Sequence, residues 1–218
     1  ADAAGTTWTL RTAMRTGAFW SIVLIFLLTS IAAYAVMPQS VAFLIEQGFD
    51  PFVAASAFGM IGVMSMLGIL GIGVLSDRIG RVKAATLSYV SSLLGLALLI
   101  AVAYRPSLLL VYGFVVFFGT MQGARGPLIV AMIAKVYKGG NIGAIYGAST
   151  LGQGLGGAIG SWVSGLLHDW TGGYVPSILF AITCALTSLS IFWLVPSIRH
   201  ENVTGRPPAP DAAPTAGA

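Results

Sequence analysis

An arginine stands inside an otherwise apolar stretch of this sequence, well away from either end of the stretch. Arg125 follows Gln122 by three residues, so a helix would place both side chains on one face. A guanidinium presents a planar fork of N–H donors that matches the two oxygens of a carboxylate. In hydrocarbon such a charge costs about 2.5–3.5 kcal/mol, so it needs a polar environment or a partner. The pair therefore predicts an anion-binding site in a water-filled cavity.

Arg125 also has a structural interpretation. Pro127 cannot donate a backbone hydrogen bond to the Gly123 carbonyl, which leaves an acceptor nearby and favours a kink. That carbonyl, or an internal ion pair, would satisfy the guanidinium without any ligand. Gly123 and Gly126 permit the close approach of either another helix or a bound molecule. We favour the cavity and keep the structural arginine as the alternative.

A second set of polar residues recurs at helical spacing in a later apolar stretch. Its members are Tyr146, Ser149, Thr150, Gln153, Gly157, Ser161 and Ser164. The set predicts either a cavity lining, with Gln153 and Tyr146 as substrate contacts, or hydrogen bonds between helices. Tyr34, at the outer end of the first apolar stretch, is a candidate of the same kind or a gate residue. Glycines at 152, 156 and 160 recur every four residues, which is typical of closely packed membrane helices.

Composition defines the elements that must position these residues. Of the 218 residues, 56% are hydrophobic and 8% are charged, against roughly 25% charged in soluble domains. Six apolar stretches reach the length of about 20 residues that crosses a bilayer. They cover 18–37, 52–75, 84–103, 108–134, 142–167 and 175–195. Because lipid cannot satisfy open backbone groups, we predict an all-α membrane protein with six transmembrane helices in one bundle.

Basic residues predict how the bundle is oriented. With six spans both termini share one side, and nine of the 11 Lys and Arg residues fall on that side. The opposite side receives only Arg105, so both termini are expected to be cytoplasmic, in a plasma (inner) membrane. Residues 1–17 are then a cytoplasmic lead-in and 18–198 the bundle. The Pro- and Ala-rich residues 199–218 are expected to form a disordered cytoplasmic tail.

A charged connector, GVLSDRIGRVK at residues 73–83, joins the second and third stretches. Glycine can adopt positive φ in so short a link, and the aspartate can pair with an arginine or a helix N-terminus. Contacts of this kind can hold one gate conformation; alternatively, the basic residues only set topology. The connector resembles the loop signature of the major facilitator superfamily. The resemblance rests on a gating motif of Gly73, Asp77, Arg78, Gly80 and Arg81. Val82 departs from the signature, which usually has a basic residue there, and Lys83 follows one position later.

The resemblance extends over residues 8–199 and is to the second six-helix half of such a transporter. Segments 8–20 and 143–147 are similar to the oxalate/formate antiporter and monocarboxylate transporter branch. The resemblance to this superfamily implies a twelve-helix fold with a missing N-terminal six-helix half, so we expect this chain to be a piece of a longer protein. It also implies a secondary transporter that moves a small organic anion, a monocarboxylate or dicarboxylate, by alternating access. No Asp or Glu lies in mid-span, so antiport and proton symport both remain open.

Other function classes receive little support from the sequence. The G-x-G-x-x-G pattern at 152–157 lies inside an apolar stretch rather than after a strand, so it does not predict a dinucleotide site. No base can be placed beside Ser149, and we expect no enzyme, no cofactor and no metal site. The spread of basic residues does not predict nucleic-acid binding. Two alternatives remain: a carrier for a neutral or cationic solute (sugar or drug) with a structural Arg125, and a non-transporting membrane scaffold.

Overall fold

The computed structural model of the chain describes residues 8–138 and 140–195, apart from the side chain of Asp77. These residues form helices and short turns, with no strand among them. The helices are α1 (Leu10–Met14), α2 (Gly17–Tyr34), α3 (Ser40–Glu46), α4 (Pro51–Ile79), α5 (Arg81–Tyr104), α6 (Leu108–Phe114), α7 (Thr120–Val136), α8 (Ile142–Thr171) and α9 (Val175–Leu194). The start of the predicted lead-in and the whole predicted tail lie outside the described residues.

The predicted all-α membrane fold is confirmed, and each predicted stretch is a helix over most of its length. Five helical segments are long and apolar enough to cross a bilayer: α2, α4, α5, the continuous run Leu108–Val136, and α9. Helix α8 has 30 residues, which at about 1.5 Å per residue is also ample length. Its glycines and polar side chains make it less apolar than the others. Its crossing of the membrane, and so the count of six spans, stays a prediction.

Some helices end at residues other than those at which the apolar stretches end. The first span ends at Tyr34 instead of residue 37, since Pro38 cannot donate to the Tyr34 carbonyl. The short helix α3 that follows was not predicted. Helix α4 begins after Asp50, whose Oδ1 accepts from the Phe52 backbone N–H at 2.8 Å, and it continues past the apolar stretch to Ile79. Charged residues at helix ends hide such extensions from a hydropathy pattern.

Helices α2 and α8 pack backbone to backbone along the predicted glycine stripe. A Cβ added at Gly152 would lie 2.6 Å from the Val23 carbonyl oxygen, and one at Gly160 would lie 2.6 Å from that of Ile31. Gly156 sits equally close against the Leu27 carbonyl. The predicted close packing is therefore confirmed, with α2 as the partner of α8.

Helices α4 and α7 form a second close contact. A Cβ added at Gly68 would overlap the carbonyl oxygen of Thr120, the first residue of α7. Nearby, the Ser65 hydroxyl donates to the Gly119 carbonyl at 2.8 Å. Gly119 ends a π-helical segment, Val115–Gly119, that joins α6 to α7. In a π-helix the backbone hydrogen bonds join residues five positions apart instead of four. The contact thus fixes α7, which carries Arg125, against α4.

Candidate functional site

A cavity of about 390 Å³ lies between α2, α4, α7 and α8. Helices α2 and α7 supply most of its wall, and α4 and α8 supply one residue each. The lining residues are Phe26, Thr29, Ser30, Ala33, Tyr34, Met37, Pro38, Phe58, Gln122, Arg125, Gly126, Ile129 and Gln153. The volume falls within the range of about 300–1,000 Å³ that is usual for small-molecule sites. The cavity is mostly apolar with a few polar groups, which suits a small solute.

Arg125 is the charged residue of this wall. The residue is buried, with 6% of its surface exposed. Nε donates to the Ser88 hydroxyl at 3.3 Å, Nη2 donates to the Ser92 hydroxyl, and Nη1 donates to Gln122 Oε1 at 3.5 Å. The guanidinium carbon lies 4.8 Å from the centroid of the Tyr89 ring. A guanidinium has more N–H donors than these three bonds use, so donors remain for a ligand.

Every partner of this guanidinium in the described part of the chain is neutral. Hydroxyl, amide and ring contacts orient the group but do not cancel its charge. In the part of the chain that the structure describes, no carboxylate is paired with Arg125; those of Glu46 and Asp169 lie near His168 instead. The internal ion pair considered for Arg125 is therefore not found in this part of the chain. Its positive charge acts on whatever occupies the cavity.

The serines that hold Arg125 come from α5, which the sequence analysis did not connect to the site. Ser88 and Ser92 are four residues apart, so both face the same neighbour, and each is 1% exposed. Gly95, one turn further, lets the chain of Phe118 approach closely. A pair of serines at this spacing around Tyr89 in an apolar stretch was the available signal. It did not reveal which helix the pair would face.

Behind the cavity wall, buried hydroxyls join three helices. The Tyr89 hydroxyl lies 2.5 Å from Thr29 Oγ1 on α2 and 2.8 Å from Ser188 Oγ on α9. Thr29 and Ser188 also lie 3.1 Å from each other. Thr29 lines the cavity, so this network runs from the cavity wall to the residue that contacts Arg125. The sequence analysis missed all three members.

The structure brings four of the five predicted substrate contacts to the cavity. Gln122, Arg125, Gln153 and Tyr34 line it, with Tyr34 43% exposed at the edge. Tyr146 is not among the lining residues. Its ring packs edge-on against Phe26, with 6.1 Å between the ring centroids, and Phe26 forms the wall instead.

The polar set on α8 has buried members and an exposed member at the cavity. Ser149 and Ser164 are fully buried on the face that carries the glycine stripe. Ser164 donates to the Ala35 carbonyl at 2.6 Å, and Ser149 donates to the Ile145 carbonyl of its own helix at 2.8 Å. For these two serines the cavity-lining interpretation is wrong, because both are buried and neither is among the lining residues. Gln153 lies on the same side of α8 by helical spacing, but it is exposed at the cavity.

The end of the bundle near α3 is closed by a cluster of aromatic and titratable groups. His168 Nε2 lies 3.3 Å from Glu46 Oε1, and its ring lies 4.2 Å from the Tyr174 ring, centroid to centroid. Asp169 Oδ1 lies 3.7 Å from His168 Nδ1. Burial raises the pKa of the Tyr174 phenol, and the carboxylates of Glu46 and Asp169 raise it further. The Tyr174 ring also packs on Phe43 of α3, with 5.9 Å between the centroids, so it joins α3, α8 and the start of α9.

The connector between α4 and α5 has the short form that the gating motif predicts. Helix α4 ends at Ile79, Gly80 alone links it to α5, and α5 begins at Arg81. Gly80 has φ +86° and ψ 151°, so the predicted positive φ is confirmed. L-amino acids rarely adopt this conformation, whereas glycine, which has no Cβ, adopts it readily. This explains why a glycine stands at the link.

The other motif residues lie on either side of this link. Gly73 and Arg81 line a smaller cavity of about 190 Å³ together with Ser76 and three apolar residues of α7. Arg78 is exposed in the last turn of α4. The backbone of Asp77 belongs to α4, but its side chain lies outside the described part of the structure. The predicted pairing of its carboxylate stays a prediction.

Long apolar helices surround a mostly apolar cavity with the buried cation Arg125 in its wall, which suits a membrane carrier. The chain belongs to the Major Facilitator Superfamily, whose family model matches residues 19–217. It is therefore an integral membrane protein of a transporter family, and the predicted family membership is confirmed.

Several curated transporters are similar in sequence to this chain. The chain is 29% identical over 157 residues to Monocarboxylate transporter 13 of Rattus norvegicus, covering 72% of this chain and 36% of that protein. It is 27% identical over 161 residues to the uncharacterized MFS-type transporter YhjX of Escherichia coli (strain K12), covering 68% and 37%. It is 31% identical over 144 residues to the uncharacterized MFS-type transporter YcxA of Bacillus subtilis (strain 168), covering 64% and 35%. The chain matches about a third of the length of these relatives.

Proposed function

We propose that this chain is one six-helix half of a secondary transporter that moves a small organic anion, such as a monocarboxylate, by alternating access. The observation that carries the proposal is Arg125, a buried guanidinium held by neutral groups at the wall of a cavity. Burying a cation without a counter-charge is costly, and a bound anion offsets that cost. The relative named Monocarboxylate transporter 13 supports the same class of solute.

The cavity offers a consistent way to hold a carboxylate. The N–H groups of Arg125 that are not bonded to protein would donate to one or both carboxylate oxygens. Gln122 accepts from Arg125 through Oε1, which leaves its amide nitrogen to donate to the same carboxylate. Gln153 and Tyr34 would contact the rest of the solute from the opposite wall, and the apolar wall of Phe26 and Ile129 suits a short hydrocarbon chain. Residues further from the cavity, Tyr146 among them, would act through this wall.

A second six-helix bundle would complete the site on the open side of the cavity. In this proposal residues 1–17 are a cytoplasmic lead-in, 18–198 the bundle and 199–218 a cytoplasmic tail, with both termini inside a plasma membrane. No carboxylate lies in the middle of α2, α4, α5, α7, α8 or α9. If transport is coupled to protons, the second half must supply the proton-carrying carboxylate. Antiport and proton symport both fit this chain.

Uptake into proteoliposomes tests the proposal. We expect the complete transporter, meaning the protein that contains this chain and its second half, to take up radiolabelled lactate with saturation. Acetate and pyruvate should compete with the uptake, because all three present the same carboxylate to Arg125. This chain alone should give no uptake above protein-free liposomes, since its cavity is open on one side. Saturable uptake by the monomeric chain alone would contradict the half-transporter proposal.

A carrier for a neutral solute is the second candidate. It is favoured by the number of contacts that Arg125 makes inside the bundle, which are enough to hold a structural arginine. Under this alternative, lactate would not compete with the transported solute. Replacing Arg125 would then lower stability without changing which solutes bind.

The gating motif predicts a separate effect on the transport cycle. We expect Asp77→Asn to slow lactate transport more than it weakens lactate binding, because a lost charge contact at the α4–α5 link shifts the balance between gate conformations. A shift of about 1.4 kcal/mol changes the ratio of the two conformations about tenfold. Uptake rates and binding in the complete transporter check this. Lys138→Gln, which removes an exposed charge elsewhere, is the control. Unchanged rates in Asp77→Asn at normal expression would rule out the gate role.

A further inference from the structure

We propose that Tyr89 is a positioning residue for the anion site. Its ring face holds the guanidinium of Arg125 in the one orientation that a planar carboxylate can use. The inference rests on the proposed function, because it assigns Tyr89 a role in what Arg125 binds. Tyr89 itself is 2% exposed and is not part of the cavity lining, so it acts through Arg125 and not on the solute.

Three contacts from one helix fix the plane of the guanidinium. Ser88 and Ser92 bind Nε and Nη2, and between them on α5 the Tyr89 ring lies 4.8 Å from the guanidinium carbon. The hydrogen bonds to the two serines alone would still let the guanidinium rotate about the line that joins them. Contact with the face of the Tyr89 ring fixes that rotation. A cation–π contact attracts the guanidinium without neutralising it. The charge therefore remains available to an anion while its direction is fixed.

The Tyr89 ring is in turn held by two other helices. Its hydroxyl contacts Thr29 on α2 and Ser188 on α9, and its ring packs at 5.7 Å, centroid to centroid, on Phe192 of α9. Since α2 also forms the cavity wall through Thr29, the direction of the guanidinium depends on how these helices are packed.

The ring and the hydroxyl of Tyr89 can be separated by substitution. Thr29 and Ser188 lie 3.1 Å apart and remain partners for each other if the phenol oxygen is removed. Tyr89→Phe therefore keeps the face that contacts Arg125 and leaves these two hydroxyls paired. Tyr89→Leu removes the aromatic face but keeps an apolar side chain at this buried position. The inference predicts that the second substitution weakens carboxylate binding and the first does not.

A fixed guanidinium and a loose one differ in which anions they prefer. A carboxylate binds through two oxygens in one plane, so it gains from a fork that is already oriented. A spherical anion such as bromide has no plane, so a guanidinium that has lost its contact with the Tyr89 ring can still bind it. Loss of the Tyr89 ring should therefore reduce the affinity for lactate and largely spare competition by bromide. A residue that only supports the fold would change both affinities together.

Equilibrium binding of radiolabelled lactate to the complete transporter tests the inference by a double-mutant cycle. We expect Tyr89→Leu to weaken lactate about tenfold and Tyr89→Phe by less than about twofold. Arg125→Lys should weaken lactate on its own, and adding Tyr89→Leu should then weaken it no further, because the planar fork is already gone. Competition by bromide should change little in Tyr89→Leu. Thermal stability of each variant checks folding.

Each outcome decides the inference. Additive effects of Tyr89→Leu and Arg125→Lys, or an equal loss of bromide binding, would show that Tyr89 only supports the fold and would overturn it. Wild-type lactate affinity in Arg125→Lys would overturn this inference alone, whereas wild-type affinity in Arg125→Gln would overturn the proposed function as well. If Tyr89→Leu does not fold, the Tyr89→Phe variant can be compared with the same variant made with a trifluorinated phenylalanine. Fluorination keeps the shape and weakens the attraction of the ring for a cation, so lactate affinity must fall, and unchanged affinity would overturn the inference.

Discussion

Replacing Arg125 with glutamine is expected to weaken lactate binding to the complete transporter by about one to two decades. A hydrogen bond to a charged group contributes roughly 1.5–3 kcal/mol, and the substitution removes the charge that makes it strong. Arg125→Lys keeps the charge but loses the planar fork, so its affinity should lie between those of the wild type and Arg125→Gln. The measurement is the equilibrium affinity for radiolabelled lactate in proteoliposomes.

The control for this series is Arg105→Gln, which removes an exposed charge from the connector between α5 and α6. It should leave lactate affinity unchanged, since Arg105 is not among the residues that line the cavity. Thermal stability of the Arg125 variants separates binding from folding. Wild-type affinity in Arg125→Gln would eliminate the anion site. Loss of folding in both Arg125 variants would support a purely structural arginine instead.

Gly68→Ala is expected to lower the free energy of unfolding by about 3 kcal/mol or more, or to prevent folding. The added Cβ would overlap the Thr120 carbonyl, which is backbone and cannot rotate away as a side chain can. Helices α4 and α7 would have to separate, and the bond from Ser65 to the Gly119 carbonyl would lengthen. Thermal unfolding of the purified protein in detergent measures the effect.

Gly71→Ala is the matched control on the same helix. A Cβ at Gly71 meets no atom within 4 Å, so this change adds a methyl group to an open face. Alanine favours a helix over glycine by about 0.5–1 kcal/mol, so Gly71→Ala should be neutral or slightly stabilising. Equal stability of the Gly68→Ala and Gly71→Ala proteins would contradict the close contact between α4 and α7.

The helices could be predicted from the sequence because lipid imposes a length and forbids open backbone groups. The glycine stripe on α8 was also readable, since a repeat of four residues puts small side chains on one face. The helix end at Ile79 was not, because charged residues near a membrane surface continue a helix as readily as they end it. The end at Tyr34 was missed although Pro38 could have indicated it. Helix α3 was not predicted either, because its seven residues make only about two turns, which is too few for a periodic pattern to show.

For the site, the cost of a charge in hydrocarbon singled out Arg125, and helical spacing added Gln122. Ser88, Ser92 and Tyr89 could not be assigned to it from the sequence. In a soluble protein the apolar face of a helix points to the core, whereas a membrane helix is apolar towards lipid as well. The pattern along α5 therefore does not show which side faces α7. Only the packing of the helices decides that, and small residues such as Gly95 control it.

The ratio of the affinities for lactate and for its uncharged amide, lactamide, measures whether Arg125 recognises the charge of the solute. The two molecules have nearly the same shape, so the ratio is insensitive to how well the cavity is packed. In the complete transporter we expect the wild type to prefer lactate by at least about tenfold, and Arg125→Gln to lose most of that preference. A wild-type protein that binds lactamide as tightly as lactate, or an Arg125→Gln protein that keeps the full preference, would contradict an anion site at Arg125.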